Sequence, residues 1–180
     1  MSLAQGQGST VEYVVRIGST QPTYLLASQG NRACQGAVIE VVTIGYQGRS
    51  QQQVVELLRA DGVKLLVDVR LNPISRKPGL SKKGLGAALN EAGIEYEHIK
   101  ALGTPLDIRG LFRANQLDDA RAQYRDYLVG EQPEALAELG AEVGEQRTAL
   151  LCFELDVREC HRLVVGEELE RLVGATLVHL

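Results

Sequence analysis

The sequence has few of the residues that mark several classes of protein. It contains no tryptophan, three cysteines in 180 residues, and aromatic side chains make up only 4% of it. The odd cysteine count does not suit a disulfide framework, so reduced thiols and a cytoplasmic location are expected. No apolar run approaches the ~20 residues that a transmembrane helix needs. The first residues lack the basic region, apolar core and cleavage site of a signal peptide. We therefore expect neither membrane insertion nor export.

The chain also lacks a basic character overall. Its formal net charge is −4 and its pI is near 5.5, which argues against binding nucleic acid over the whole surface but leaves room for a local basic surface. A hydrophobic content of 44% in a chain of this length allows one substantial core. We expect residues 1–36 to form an N-terminal extension, partly disordered or folded as an edge hairpin. Residues 37–180 are expected to form a single α/β domain.

Within that domain, strand-like and helix-like segments alternate. Strands are predicted at residues 38–44, 64–69, 94–99, 148–153 and 175–178, and helices after Ser50, after Ser81, over most of 117–143 and over 159–173. Strands joined by helical crossovers imply a three-layer α/β/α fold with a mainly parallel sheet. The carboxyl ends of such strands meet at one edge, where open α/β sheets bind their ligands.

Residue types capable of chemistry are concentrated in the loops that follow the predicted strands. The candidate ligand-binding residues are Tyr46, Arg49, Asp68, Arg70, Arg76, Lys77 and Arg162. No acidic residue lies between Asp68 and Glu91, although five basic residues do. Arginine forks match phosphate oxygens, and the helix start at Ser81 would add backbone N–H groups. This loop predicts binding of a phosphate-bearing small molecule or nucleic acid, unless local carboxylates pair with its arginines.

The junction between the fourth strand and the last helix carries the candidate catalytic residues Glu154, Cys160 and His161. Glu154 or His161 could move protons. A nucleophilic Cys160 is less favoured, because the following residues supply neither the glycine-rich loop nor the later arginine of cysteine phosphatases. Neighbouring residues of a helix also point about 100° apart, so His161 is not expected to act as the base for Cys160. A buried packing thiol is the preferred interpretation.

No metal site is predicted from the sequence, and no cofactor is identified. Structural zinc sites use four ligands with paired short cysteine spacings, and no second Cys or His pair accompanies Cys152, Cys160 and His161. The favoured function is an enzyme that binds a phosphorylated or nucleotide-like ligand. The alternative is a non-catalytic module that binds nucleic acid or a nucleotide, and a redox-sensing thiol protein is a weaker third. Scarce loop aromatics weaken base recognition but leave phosphate recognition intact.

Four separated sequence blocks resemble the DUF488 family. They are Thr43 to Ser50 (TIGYQGRS), Leu66 to Arg70 (LVDVR) leading to Ser75 to Lys82 (SRKPGLSK), the Leu102-Gly103-Thr104-Pro105 turn, and Cys152-x-Glu154 with Cys160-His161-Arg162. The resemblance covers roughly residues 41–180. The family has no assigned biochemistry, so the resemblance implies the fold and the location of a site but no reaction.

Overall fold

The computed structural model describes residues 38–180, which belong to one compact unit. The predictions made for the N-terminal extension lie outside the described residues. The strands are β1 (Glu40–Gly45), β2 (Leu65–Asp68), β3 (Glu95–His98), β4 (Thr148–Cys152) and β5 (Thr176–His179). The α-helices are α1 (Gln51–Ala60), α2 (Lys82–Glu91), α3 (Leu106–Arg113), α4 (Leu117–Glu131), α5 (Pro133–Glu145) and α6 (Arg162–Val173). None of these described helices is both long and apolar enough to cross a membrane.

The strands form one sheet in the order β3-β2-β4-β1-β5, and every pairing in it is parallel. This confirms the predicted α/β fold. β4 lies between β2 and β1, and all five of its residues are buried, as expected for a central strand covered on both faces. Gly45 pairs with Cys152, and Asp68 pairs with Leu151. The loops that follow β1, β2 and β4 therefore begin side by side at one edge.

Alternate residues of the central strands face two separate cores. Val67, Leu150 and Cys152 belong to one core, which includes buried residues of α3, α4, α5 and α6. Leu66 and Leu151 belong to the other core, which includes buried residues of α1 and α2. The period-2 alternation of side chains along a strand produces this division. The three predicted layers are thus present, with four helices on one face of the sheet and two on the other.

Two helix boundaries differ from the sequence prediction. The segment after Thr104 was expected to be a turn with helix only from about Leu117, but α3 occupies Leu106–Arg113. The last helix was expected from Glu159 but begins at Arg162, because Val157–Glu159 forms a short 3-10 helix and Cys160 has extended backbone. Both corrections change which side chains surround the candidate site.

Candidate functional site

A cavity of about 750 Å³ lies at the carboxyl edge of the sheet, between the loops after β1, β2 and β4 and helix α3. Of the sequence-predicted site residues, those that line it are Tyr46, Arg70, Arg76, Lys77, Glu154 and His161. Arg49, Asp68, Cys160 and Arg162 are not among its lining residues. Helix α3 contributes Arg109, Phe112 and Arg113, which the sequence analysis missed together with the helix.

Arg70 and Asp68 form a buried ion pair beside the cavity. Arg70 Nε donates to Asp68 Oδ1 at 2.8 Å, and Nη2 donates to Oδ2 at 2.5 Å. Arg70 Nη1 donates to the Tyr46 hydroxyl at 2.9 Å and to the Leu80 carbonyl at 3.1 Å. Tyr96 donates its hydroxyl to Asp68 Oδ2 at 2.7 Å. The Arg70 guanidinium therefore binds protein groups, as expected if a local carboxylate pairs with an arginine of this loop.

The surroundings of this pair stabilise its charged form. Arg70 is 6% exposed and Asp68 is fully buried. Burial alone lowers the Arg70 pKa, but the hydrogen bond and charge of Asp68 outweigh burial and raise it. Burial and the bond to Asp68 also raise the pKa of Tyr96. Both shifts favour the protonated forms of Arg70 and Tyr96, which suits a structural network rather than proton transfer.

Two other predicted ligand-binding cations bind loop carbonyls. Arg49 Nη1 donates to the carbonyl oxygens of Gly45 at 3.0 Å and Leu180 at 3.2 Å. Lys77 Nζ donates to the carbonyls of Tyr46 at 3.2 Å and Arg49 at 3.0 Å. These bonds fix the loop after β1 against its neighbours. The two side chains act here as supports of that loop.

Arg162 supports the loop after β4 in the same way. Its Nη1 donates to the Glu154 carbonyl at 2.6 Å and its Nη2 to the Leu155 carbonyl at 3.0 Å, and the residue is 1% exposed. The loop also packs against Gly45, where an added Cβ would lie 1.9 Å from the Glu154 carbonyl oxygen. Glu154 is therefore held in place from two sides.

The cations of the cavity that remain free are Arg76, Arg109 and Arg113. Across residues 38–180, no side-chain hydrogen bond or ion pair of the structure involves any of them, although all three line the cavity. Thr104 also lines the cavity, and its buried hydroxyl has no hydrogen-bond partner among the described residues. The three arginines therefore offer donors to a ligand that accepts hydrogen bonds.

On the other side of the cavity, four potential metal-ligating side chains converge. Cys152 Sγ lies 3.2 Å from Glu154 Oε2 and 3.6 Å from His161 Nδ1, and Cys160 Sγ lies 3.9 Å from the same nitrogen. One ligand atom from each of the four residues lies within 4.8 Å of the others. His161 Nε2 lies 2.8 Å from the Val69 carbonyl oxygen. A carbonyl only accepts, so Nε2 carries a proton and Nδ1 faces the thiols.

The geometry assumed for Cys160 and His161 differs from the structure. The two residues were expected to lie in one helix, but Cys160 has φ −124° and ψ 141° and precedes α6. Burial, followed by the neighbouring Cys152, raises the Cys160 pKa well above its ordinary value. A thiol with a raised pKa carries little nucleophilic thiolate. This environment fits the buried thiol that the sequence favours, and the expectation that His161 is not the base for Cys160 stays a prediction.

Ionisation of the other two groups is coupled to these thiols. Burial raises the Glu154 pKa, but hydrogen bonds from Cys160 and Cys152 and the nearby His161 outweigh burial and lower it. For His161, burial lowers the pKa, whereas Cys160 and the Val69 carbonyl raise it above the ordinary value. A carboxylate beside a protonated imidazole is the charge state that these shifts favour. Such a pair can accept and donate a proton at the cavity wall.

Sequence signals for the missed residues exist. Ile108, Leu111 and Phe112 are spaced as i, i+3 and i+4 after Pro105, which is typical of a short amphipathic helix. Such a helix points Arg109 and Arg113, four residues apart, in the same direction. Nothing comparable in the sequence marks Thr104 as unpartnered. That property depends on the packing around it.

Comparison with known proteins gives one match. The family model described as a domain of unknown function, DUF488, matches residues 50–169. No curated protein and no solved structure matches the chain. The match spans more than half of the chain and includes Arg70, α3 and the Cys152 to Arg162 segment. The chain therefore belongs to the DUF488 family.

Proposed function

We propose that the protein is an enzyme that binds a phosphate-bearing small molecule, such as a nucleotide, in the cavity at the carboxyl edge of the sheet. The observation that carries the proposal is the set of three cavity arginines, Arg76, Arg109 and Arg113, which have no partner within residues 38–180. The chain as a whole is acidic, with a net charge of −4, so this local excess of cations is not a general property of its surface.

The chemistry of these arginines suits a phosphate. A guanidinium group presents N–H donors in a fork that matches two phosphate oxygens, and it stays charged at all physiological pH values. The cavity volume of about 750 Å³ lies within the range of about 300–1,000 Å³ that is usual for small-molecule sites.

Glu154 and His161 support an enzymatic role. Both line the same cavity as the free arginines, and their pKa shifts favour a carboxylate beside an imidazolium. In this proposal, Arg109 and Arg113 hold the phosphate while His161 or Glu154 transfers a proton to or from the bound molecule. The reaction class stays open, because hydrolysis, transfer and isomerisation can all use this set.

A non-catalytic module that binds a nucleotide or nucleic acid is the second candidate. Phe153 favours it, since this aromatic side chain lines the cavity, is 43% exposed and lies edge-on to Tyr46, with ring centroids 5.3 Å apart. An exposed aromatic ring can stack on a base whether or not chemistry follows. The enzyme and the binding module would both use the cavity arginines to bind phosphate, but only the enzyme would need Glu154 for proton transfer.

Calorimetric titration with inorganic phosphate, mononucleotides and a short single-stranded DNA tests the binding. We expect Arg76→Ala to weaken binding about tenfold, since a charge-assisted hydrogen bond contributes roughly 1.5–3 kcal/mol. Arg59→Ala is the matched control, because Arg59 is exposed on the last turn of α1 at the opposite edge of the sheet. Equal affinities in the three proteins, or no binding by any of them, would contradict the proposal.

Mass spectrometry of the same ligands after incubation with the protein tests the enzymatic role. Conversion of a nucleotide or sugar phosphate by the wild type, and its loss in Glu154→Gln with binding retained, would support the enzyme. Glu159→Gln serves as control, because Glu159 is an exposed carboxylate lining the same cavity. Tight binding without conversion of any ligand would favour the non-catalytic module.

A further inference from the structure

The cluster of Cys152, Glu154, Cys160 and His161 can also bind a metal ion, in a state that excludes proton transfer by His161 Nδ1 because the ion takes the place of its proton. We propose that these four side chains form a tetrahedral site for one divalent transition metal ion, with Zn²⁺ the best match. The sequence analysis predicts no metal because the two cysteines are eight positions apart and no second pair lies nearby. The fold nevertheless brings four ligand atoms within 4.8 Å of one another, which the sequence spacing does not indicate.

Three of the distances between the ligand atoms are close to those around a tetrahedral ion. Zn–S bonds of about 2.3 Å and Zn–N or Zn–O bonds of about 2.0–2.2 Å give ligand-to-ligand distances of about 3.4–3.8 Å. In the structure, the Cys152 thiol lies 3.2 Å from the Glu154 carboxylate and 3.6 Å from His161 Nδ1. The Cys160 thiol lies 3.9 Å from the same nitrogen. The other separations, which reach up to 4.8 Å, would shorten by as much as about 1 Å on metal binding.

The imidazole of His161 has the orientation of a metal ligand. Its Nε2–H donates to the Val69 carbonyl at 2.8 Å, while Nδ1 faces the two thiols. Histidines that bind metals almost always donate their second ring N–H to a carbonyl or carboxylate, which fixes the ring and its tautomer. Val69 follows β2 in the centre of the sheet, so the carbonyl that holds the ring is itself rigid.

The elements that carry the ligands hold them before any ion binds. Cys152 ends the buried strand β4, and His161 immediately precedes α6. In the loop between these two residues, the carbonyls of Glu154 and Leu155 accept hydrogen bonds from Arg162. Ligands on such supported elements lose little conformational entropy on metal binding.

The chemical nature of the ligands selects the ion. Two thiols and an imidazole suit Zn²⁺ and related transition metals, whereas Mg²⁺ and Ca²⁺ prefer all-oxygen sites. Within the described residues, no lysine or arginine donates to any of the four side chains, so neither competes with a metal ion for them. Glu154 also lines the cavity, so the ion would lie at its wall. The metal site stands on these contacts and does not depend on phosphate binding.

Cobalt binding tests the site in the reduced full-length protein after treatment with a chelator. We expect Co²⁺ to produce the intense visible bands of tetrahedral cobalt and a thiolate charge-transfer band, saturating at one equivalent and abolished by Zn²⁺. Cys160→Ser and His161→Gln should lose the tetrahedral spectrum at the same Co²⁺ concentration. Glu159→Gln, which changes an exposed carboxylate of the same cavity, should retain it.

A second measurement covers variants that fail to fold. In wild-type protein under native conditions, Zn²⁺ should slow the reaction of the Cys152 and Cys160 thiols with a thiol reagent, and a chelator should restore the rate. Two results would overturn the proposal. One is a wild-type protein that shows no thiolate-to-cobalt band, and the other is a folded Cys160→Ser or His161→Gln variant with an undiminished spectrum.

Discussion

Two buried polar clusters lie at the same edge of the sheet and on opposite faces of it. The ion-pair cluster, beside α1 and α2, consists of Tyr46, Asp68, Arg70 and Tyr96. The thiol cluster, beside α3 to α6, consists of Cys152, Glu154, Cys160 and His161. In the ion-pair cluster, positive and negative charges balance and the donors are used. In the thiol cluster, four potential metal ligands lie within 4.8 Å of one another, and within the described residues no lysine or arginine side chain donates to them.

This difference separates stabilising residues from residues that bind a ligand. A buried charge network with complete hydrogen bonding has nothing left to offer a ligand, whatever its residue types suggest. A group of convergent thiol, carboxylate and imidazole side chains can exchange its protons for a metal ion. An arginine or cysteine in a loop therefore does not by itself indicate a ligand-binding site. Whether the side chain is already hydrogen-bonded within the protein is more informative.

The largest expected effect belongs to the ion-pair cluster. Asp68→Asn keeps the shape of the side chain but leaves the Arg70 charge buried without its counter-ion. We expect the free energy of unfolding to fall by about 3–5 kcal/mol, as for other broken buried pairs. Urea denaturation measures the loss, with Asp126→Asn, an exposed carboxylate of α4, as control. A loss below about 1 kcal/mol would show that the pair is not the structural element described here.

The next effect belongs to the thiol cluster. Free Zn²⁺ at a hundred times its dissociation constant should raise the free energy of unfolding of the wild type by about 2.7 kcal/mol, since the ion binds the folded state. Cys160→Ser should show no such increment, whereas Asp68→Asn should retain it because its cluster lies on the other face. If Zn²⁺ no longer raised the free energy of unfolding of Asp68→Asn, the two clusters would be coupled, which would contradict their separation described above.

A smaller effect is expected at Arg162, which positions the loop of the thiol cluster without being one of its ligands. Arg162→Met frees the carbonyls of Glu154 and Leu155, so metal affinity should fall about 10–100-fold, as when the groups that orient a metal ligand are removed. Competition with a zinc-binding dye measures it. Arg171→Met, an exposed arginine of the same helix, is the control. Unchanged affinity in Arg162→Met would mean that the loop does not need this support.

The smallest effect is expected at a free arginine of the cavity. Arg109→Ala should weaken binding of a mononucleotide about tenfold and leave Zn²⁺ affinity and unfolding unchanged, because the Arg109 side chain makes no hydrogen bond or ion pair within residues 38–180. The wild-type affinity should also fall as the salt concentration rises. Equilibrium dialysis at two salt concentrations measures both. If Arg109→Ala lowered the free energy of unfolding, Arg109 would stabilise the fold, as Arg70 and Arg162 do, and would not be a free ligand-binding cation.

The sequence predicted the fold well because buried strands carry a strong local signal. The apolar run at 148–153 became β4, Thr148–Cys152, and the serine at position 50 became the cap of α1. Helix α3 was missed because it is only eight residues long and follows a Gly-Thr-Pro turn. Because the helix was missed, Arg109 and Arg113, the free cations that it contributes to the cavity, were missed as well.

The roles of the site residues were harder to predict. Arg70 and Arg162 were expected to bind a ligand, but burial and pairing are tertiary properties that residue type does not reveal. The thiol cluster depends on an irregular loop with a 3-10 turn, which folds Cys160 and His161 back toward Cys152. No periodic pattern in the sequence encodes such a turn. The cavity at the carboxyl edge of the sheet was predictable, while the pairing of Arg70 and Arg162 with protein groups was not.

X-ray absorption at the zinc edge of the zinc-loaded protein tests the central claim most directly, because it reports the atoms bound to the ion. The account predicts four-coordinate zinc with two sulfur atoms at about 2.3 Å and two nitrogen or oxygen atoms at about 2.0–2.2 Å. In Cys160→Ser, one sulfur should be lost from this shell. A shell of nitrogen and oxygen alone in the wild type would contradict the assignment of the thiol cluster as a metal site.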